Sequence, residues 1–384
     1  MSAEGNQAAA PVVVFRADAS IEIGTGHVMR CLTLADALRT QGVDCHFLCR
    51  EHQGHLISVI EAQGFTAHRL PGVSQVGAVQ VDDTQPDHAH WLGTTWEHDA
   101  EVCLPLIMQL APDWLVVDHY ALDARWESTV LAEATANPVT RLLVIDDLAD
   151  RHHHADVLLD QNQGRAAEDY IGLVPAACQV LAGPRFALLR SEFAEMRGNS
   201  QARRRQQPRL KRLLISLGGV DKDNATGRVL DTLKDCHLPH ELEITVVMGA
   251  TAPWLDDVKT SAAELPWPTE VVVSVSDMAR RMAEADLAIG AAGSTSWERC
   301  CLGLPTLMLI LAENQEGIAR ALDAAGAAIC LGRPEQLADR LCHHLSALQV
   351  PHPLQAMSHA AAQLTSGEGV MTLCHTILQE DVSV

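Results

Sequence analysis

Short apolar runs alternate with stretches of helical spacing along most of the chain. Val12-Val13-Val14-Phe15 is a continuous apolar run, the mark of a strand buried on both faces. Behind it Val28, Met29, Cys31, Leu32, Leu34, Ala35 and Leu38 recur at helical spacing up to Gly42, a natural stop. The same alternation predicts strands over 45–49, 65–70, 113–120, 142–147 and 157–162, with helices over 56–63, 97–110 and 122–136. A polar, basic stretch over 197–208 breaks the pattern, which then restarts. Strands follow over 212–217, 243–248, 271–275, 286–290 and 305–311. Helices follow over 225–233, 278–285 and 317–326, with a mostly helical end.

Strands separated by helices imply parallel, doubly wound sheets, and the restart implies two of them. The expected architecture is α/β: a tail over 1–10, a Rossmann-like domain over 11–196, a linker over 197–208, and a second Rossmann-like domain over 209–384 that includes the terminal helices. A cleft between two such domains is the default ligand site. The polar segment 71–90 reads as a loop over that site.

Charge and cysteine usage narrow the partners. A formal net charge of −21 excludes a general nucleic-acid binder but leaves room for a small anion at a local site. The eleven cysteines are scattered without a Cys-x-x-Cys pair and read as reduced, apolar filler of a cytoplasmic protein. The start of the chain carries no secretory pattern, and no apolar run is long enough to span a bilayer.

Two Gly-rich turns between strand and helix carry the candidate chemistry. In the first, Gly24 and Gly26 let the backbone bend, and His27 begins a helix whose positive end suits neutral imidazole, a proton acceptor. Arg30, one turn on, is placed to hold an anion or to pair with Asp18. In the second, Gly293, Ser294 and Thr295 offer backbone N–H groups and hydroxyls for a diphosphate, and Glu298 follows as an acceptor for ribose hydroxyls. Gly218-Gly219 lets another loop approach the same phosphates. Asp118-His119-Tyr120, at the carboxyl end of an apolar strand, reads as an acid/base pair or a clamp on sugar hydroxyls, and equally as strand-end filler. Trp91 and Trp96 are placed either to stack on a sugar or to pack. His152-His153-His154 does not project to one point, so no metal is expected.

Taken together, the motifs are Phe15-Arg-Ala-Asp-Ala-Ser20…Gly24-Thr-Gly-His-Val-Met-Arg30, Val117-Asp-His-Tyr120, Ile145-Asp-Asp-Leu-Ala-Asp150, Asp160-Gln-Asn162, Gly183-Pro-Arg-Phe186, Ser216-Leu-Gly-Gly219 and Ala292-Gly-Ser-Thr-Ser-Trp-Glu298. In this order they resemble the UDP-2,4-diacetamido-2,4,6-trideoxy-β-L-altropyranose hydrolases of bacterial pseudaminic acid synthesis, over roughly residues 12–320. The resemblance implies a GT-B fold, related to the N-acetylglucosaminyltransferase that completes lipid II. It implies metal-free, cofactor-free hydrolysis by water attack at the anomeric carbon, with inversion. The catalytic residue is then His27. The substrate-binding set is Arg16, Asp18, Gly24, Gly26, Arg30, Asp118, His119, Tyr120, Asn162, Gly218, Gly219, Ser274, Met278, Gly293, Ser294, Thr295, Glu298, Asn314 and Gln315. A glycosyltransferase with the same donor, a hydrolysing UDP-sugar 2-epimerase using Asp118 and Asp146, and a silent UDP-sugar-binding module are the competing functions.

Overall fold

The computed structural model describes residues 10–72, 85–134 and 140–379. The chain divides into two compact units, one formed by Met1–Gln161, Arg165–Ala182 and Val370–Val384, the other by Asn162–Gly164 and Gly183–Gly369.

The first unit runs β1 (Val12–Ala17), α1 (Gly26–Thr40), β2 (Asp44–Arg50), α2 (Ile57–Ala62), β3 (Thr66–Leu70), α3 (Trp96–Leu110), β4 (Trp114–Asp118), α4 (Ala124–Ala134), β5 (Arg141–Ile145), β6 (Val157–Asp160) and β7 (Gln179–Ala182). Its seven strands lie parallel in the order β3-β2-β1-β4-β5-β6-β7. The chain order reverses between β1 and β4, so the loops leaving these two strands diverge there. Such a switch point is where open α/β sheets hold ligands. The register sets Ala17 beside Asp118, so both strands end at the same level.

The second unit continues with α5 (Ser191–Gln206), β8 (Arg212–Ser216), α6 (Ala225–Leu233), β9 (Glu243–Met248), α7 (Leu255–Ala263), β10 (Thr269–Val273), α8 (Met278–Glu284), β11 (Leu287–Ala291), α9 (Thr295–Cys301), β12 (Thr306–Leu309), α10 (Glu316–Ala324), β13 (Ile329–Gly332), α11 (Leu337–Ala347) and α12 (Pro351–Leu364). Its six strands are also parallel, in the order β10-β9-β8-β11-β12-β13, with the switch between β8 and β11. The last helix, α13 (Gly369–Leu378), belongs from Val370 onward to the first unit, where the Trp114 indole N–H donates to the Ile377 carbonyl at 3.0 Å. The expectation that all terminal helices join the second domain is corrected by that return.

The linker expected over 197–208 is corrected as well, because its larger part is helix α5. Three of its four arginines turn inward, whereas Arg205 is exposed. Arg197 donates to the carbonyls of Cys301, Ala362 and Thr365 at 2.6–2.8 Å. Arg203 binds Asp286 and the Ala285 carbonyl, both at 2.6 Å, and Arg204 donates to the carbonyls of Met282, Ala285 and Leu302 at 2.6–2.8 Å. These guanidinium groups satisfy carbonyls at the ends of α8, α9 and α12 that have no partner within their own helices. The cysteine reading needs one correction too. Cys236 and Cys342 are joined as a disulfide across 106 residues of chain, a pairing that sequence spacing does not reveal. No helix among the described residues is long and apolar enough to cross a membrane. The expected tail over 1–10, apart from its last residue, and most of the expected loop over 71–90 lie outside the described residues.

Candidate active site

At the switch point of the first sheet, β1 leads through Gly24 and Gly26 into α1, and β4 ends on Asp118. His27 Nδ1 lies 2.5 Å from Asp118 Oδ1. The Arg30 guanidinium forks onto the same carboxylate, Nε to Oδ2 and one terminal nitrogen to Oδ1, both at 2.6 Å. Burial opposes ionisation of Asp118, but the charge of the Arg30 guanidinium and the hydrogen bonds from Arg30 and His27 overcome it and hold the carboxyl well below its ordinary range. An ionised carboxylate only accepts hydrogen bonds, so His27 Nδ1 carries the proton. Its Nε2 is then the acceptor in neutral imidazole. The pairing of Arg30 with Asp18 is corrected: Arg30 reaches Asp118 and, at 2.7 Å, Asp147. Its nitrogens are thereby committed to carboxylates rather than to an anionic ligand.

Tyr120 is buried beside this group and donates to Asp147 at 2.5 Å. Burial and the neighbouring carboxylates push its phenol well up, so it stays protonated. Its ring meets His27 edge-on at 4.6 Å and stacks on Trp91 at 5.7 Å.

Arg16, Asp18 and His119 form a layer beneath this surface. Arg16 and Asp18 are fully buried, so neither presents a face to a ligand, which corrects their reading as substrate contacts. Arg16 binds Asp18 at 2.7 Å and Asp99 through two nitrogens at 2.7 and 3.1 Å. Asp18 also accepts the Arg50 backbone N–H at 2.7 Å. His119 Nδ1 accepts from the Ala121 N–H, which puts the ring proton on Nε2, 3.3 Å from Asp18. His119, too, faces the interior rather than a sugar. Burial pushes the His119 imidazole down, against the pull of Asp18, so it sits there neutral. Of the three adjacent histidines, His153 pairs with buried Glu127 at 2.7 Å. Asp146, the epimerase candidate, is buried and bound by Arg151 at 2.8 Å.

In the second unit the expected residues line the carboxyl edge of one sheet. Gly218-Gly219 follows β8, Ser274 and Met278 follow β10, Gly293–Thr295 follows β11, and Asn314-Gln315 follows β12. The β8 and β11 loops flank the switch point. Gly218 adopts φ +102°, open to glycine at little cost. The Gly249 N–H, after β9, donates to the Gly219 carbonyl at 3.0 Å, and a side chain at 249 would strike that oxygen. Ser274 Oγ accepts from the Ala250 N–H at 3.1 Å, tying the β9 and β10 loops together. Gln315 is oriented by the Leu311 N–H on its Oε1 at 3.0 Å, with its Nε2 turned toward Gly293. Asn314 and Ser294 are exposed. Asn162, past β6, is buried.

Glu298 sits within α9, half-buried, and its carboxyl is pushed up to about 7, chiefly by burial, with Arg190 and Arg299 pulling the other way. Beneath the loop, buried Arg299 donates to the Ala291 carbonyl at 2.7 Å and to the Thr295 and Ser296 hydroxyls at 3.0 Å. Sequence reasoning passed over Arg299, and also Asp99 and Arg50, whose roles come from partners far away in the chain. Their signal is a charged residue at a position whose helical or strand spacing calls for an apolar one.

Residues 217–372 match the glycosyltransferase family 28 C-terminal domain. Over 314 residues, 82% of this chain and 97% of the relative, the sequence is 26% identical to the UDP-2,4-diacetamido-2,4,6-trideoxy-beta-L-altropyranose hydrolase of Campylobacter jejuni. Among solved structures, MurG of Acinetobacter baumannii has a TM-score of 0.66 at 18% identity, covering 96% of this chain and 99% of that one. The UDP-GlcNAc 2-epimerase of Neisseria meningitidis has a TM-score of 0.59 at 11% identity, covering 97% of this chain and 100% of that one. The chain thus has the GT-B fold, most of its second unit matches the glycosyltransferase family 28 C-terminal domain, and its likeness to the altropyranose hydrolase extends over most of its length.

Proposed function

We propose that this protein is a UDP-sugar hydrolase that releases UDP from UDP-2,4-diacetamido-2,4,6-trideoxy-β-L-altropyranose or a close stereoisomer. The observation that carries the reading is the His27–Asp118 pair, with Arg30 keeping the carboxylate charged. The similarity to the Campylobacter jejuni hydrolase supports the substrate class. In the proposed reaction His27 Nε2 takes a proton from water as its oxygen attacks the anomeric carbon. The anomeric C–O bond breaks, and its electron pair leaves on the β-phosphate oxygen of UDP. One displacement inverts the anomeric centre. UDP needs charge stabilisation rather than a proton, and Gly293, Ser294, Thr295 and Gln315 supply donors for it.

Incubation in ¹⁸O water with EDTA and no acceptor, followed by NMR and mass spectrometry, tests this. Free sugar carrying the label, with unlabelled UDP, is expected. Turnover only with an added acceptor would make the protein a transferase. Solvent deuterium at C2 of the product would make it an epimerase.

Glu298 gives a second expectation. Only its ionised form accepts bonds from both ribose hydroxyls, so UDP affinity should rise as pH climbs through about 7. The sign for stability is opposite. The raised carboxyl binds a proton that the unfolded chain has released, so the apo protein loses stability as pH rises from the ordinary carboxylate range to about 7. Titration calorimetry with UDP from pH 5.5 to 8.5 should show a steeper rise in wild type than in Glu298→Gln, both sharing the phosphate's own titration. Parallel curves would remove Glu298 from the ribose.

A further inference from the structure

Residues 89–92 form a single 3₁₀ turn that no motif of the chain covers, and it builds a wall of rings beside His27. The Trp91 indole stacks on the Tyr120 phenol with 24° between planes and centroids 5.7 Å apart, and meets the His27 imidazole edge-on at 6.5 Å. His88 lies across the other part of this group, 4.4 Å from Trp91 and 5.6 Å from Tyr120. Tyr120 is almost wholly buried and its hydroxyl is spent on Asp147, whereas Trp91 is only partly buried. Tyr120 therefore acts as the backing of the wall, and Trp91 is the ring nearest the base that keeps surface for a ligand.

A packing tryptophan would be buried among aliphatic side chains. This one is held by rings on one side, a few ångströms from the proposed base. A flat indole recognises an apolar patch rather than a hydroxyl, because its face accepts C–H groups and offers no hydrogen-bond partner for O–H.

Resting on the hydrolase reading, we infer that Trp91 is the specificity-determining platform of this site, selecting sugars that present methyl groups where common hexoses carry hydroxyls. A 6-deoxy sugar with two acetamido groups offers three methyls. UDP-GlcNAc offers one, together with a hydroxymethyl and a free 4-hydroxyl.

The test compares binding and turnover of the UDP-linked diacetamido-trideoxy sugar, UDP-GlcNAc and UDP alone. Binding is measured in the His27→Asn background, which leaves the donors intact. Trp91→Ala is expected to weaken the deoxy donor about tenfold while leaving UDP unchanged, so that discrimination against UDP-GlcNAc shrinks. Trp91→Phe should restore most of it. In the turnover assay the loss should fall on KM more than on kcat. Equal weakening of both donors and UDP would mean that Trp91 only holds the fold, and unchanged affinities would mean that it touches no sugar. Either result overturns the inference. Donor discrimination that depends on Trp91 in a protein that hydrolyses neither donor would keep the platform and sink the hydrolase reading instead.

Discussion

Replacing Asp118 with Asn is expected to lower kcat for UDP-sugar hydrolysis about a thousandfold while leaving UDP affinity unchanged. The wild-type carboxylate accepts from three groups at once, His27 Nδ1 and two nitrogens of Arg30. An amide has one acceptor oxygen. If that oxygen stays on Arg30, the amide N–H₂ faces His27 Nδ1 and turns it into an acceptor. The ring proton then sits on Nε2, where the attacking water must deliver its own, and the base is blocked without any movement of the ring. If the oxygen stays on His27, Arg30 loses the Nε half of its fork and keeps Asp147 as its charged partner. His27→Asn should show a loss of similar size. Because the two residues act as one unit, the double variant should be little worse than either single one. Rates are to be compared at a temperature where circular dichroism shows all variants folded, since Arg30 is buried and partly orphaned by the change. Losses that multiply in the double variant would mean that the two residues serve separate steps.

The fold was legible because both sheets are parallel and covered on both faces. Strands such as Val12–Ala17 and Leu287–Ala291 are then nearly all apolar and stand out from their helices. The elements that escaped are those whose pattern is weak by physical necessity. The strands β7 and β13 lie at sheet edges and are only partly buried, so neither carries the continuous apolar run of the central strands. Helix α5 buries Arg204 and half-buries Arg197 and Arg203 where a helix of ordinary amphipathicity buries leucines, so its stripe reads as a solvated basic run. The site was half legible for a similar reason. His27 announced itself through the glycines before it. Its partner, 91 positions away, was visible only as an acid at a strand end. Which strand end meets which loop is decided by strand order, and no local pattern encodes it. The same limit hid the inward turn of Arg16 and Asp18. A strand's last residues alternate between faces, but the sequence does not say that an acid from α3 waits beneath them.

That acid carries the largest stability effect expected in the molecule. Asp99 is fully buried and accepts from Arg16 at 2.7 and 3.1 Å, from Arg50 at 2.5 Å and from the Trp126 indole at 3.0 Å. Asp99→Asn keeps its volume and removes its charge, leaving Arg16 to Asp18 and taking from buried Arg50 the carboxylate that its guanidinium binds. Breaking a buried pair in this way costs about 3–5 kcal/mol, and urea unfolding of the first unit should show it. The pH dependence follows from the shift. Burial opposes the Asp99 charge, but Arg16 and Arg50 outweigh it and hold the carboxyl below its ordinary value. Its contribution is therefore complete above the unfolded carboxylate pKa of about 3.9 and is lost as pH falls through the lower folded value. The gap between wild type and Asp99→Asn should accordingly stay constant from pH 5 to 8 and close only in stronger acid. Where Asp99→Asn remains folded, KM for the UDP-sugar should not move, because Arg16 and Asp18 support β1 from below and touch no ligand. A raised KM at undiminished stability would return both residues to the substrate.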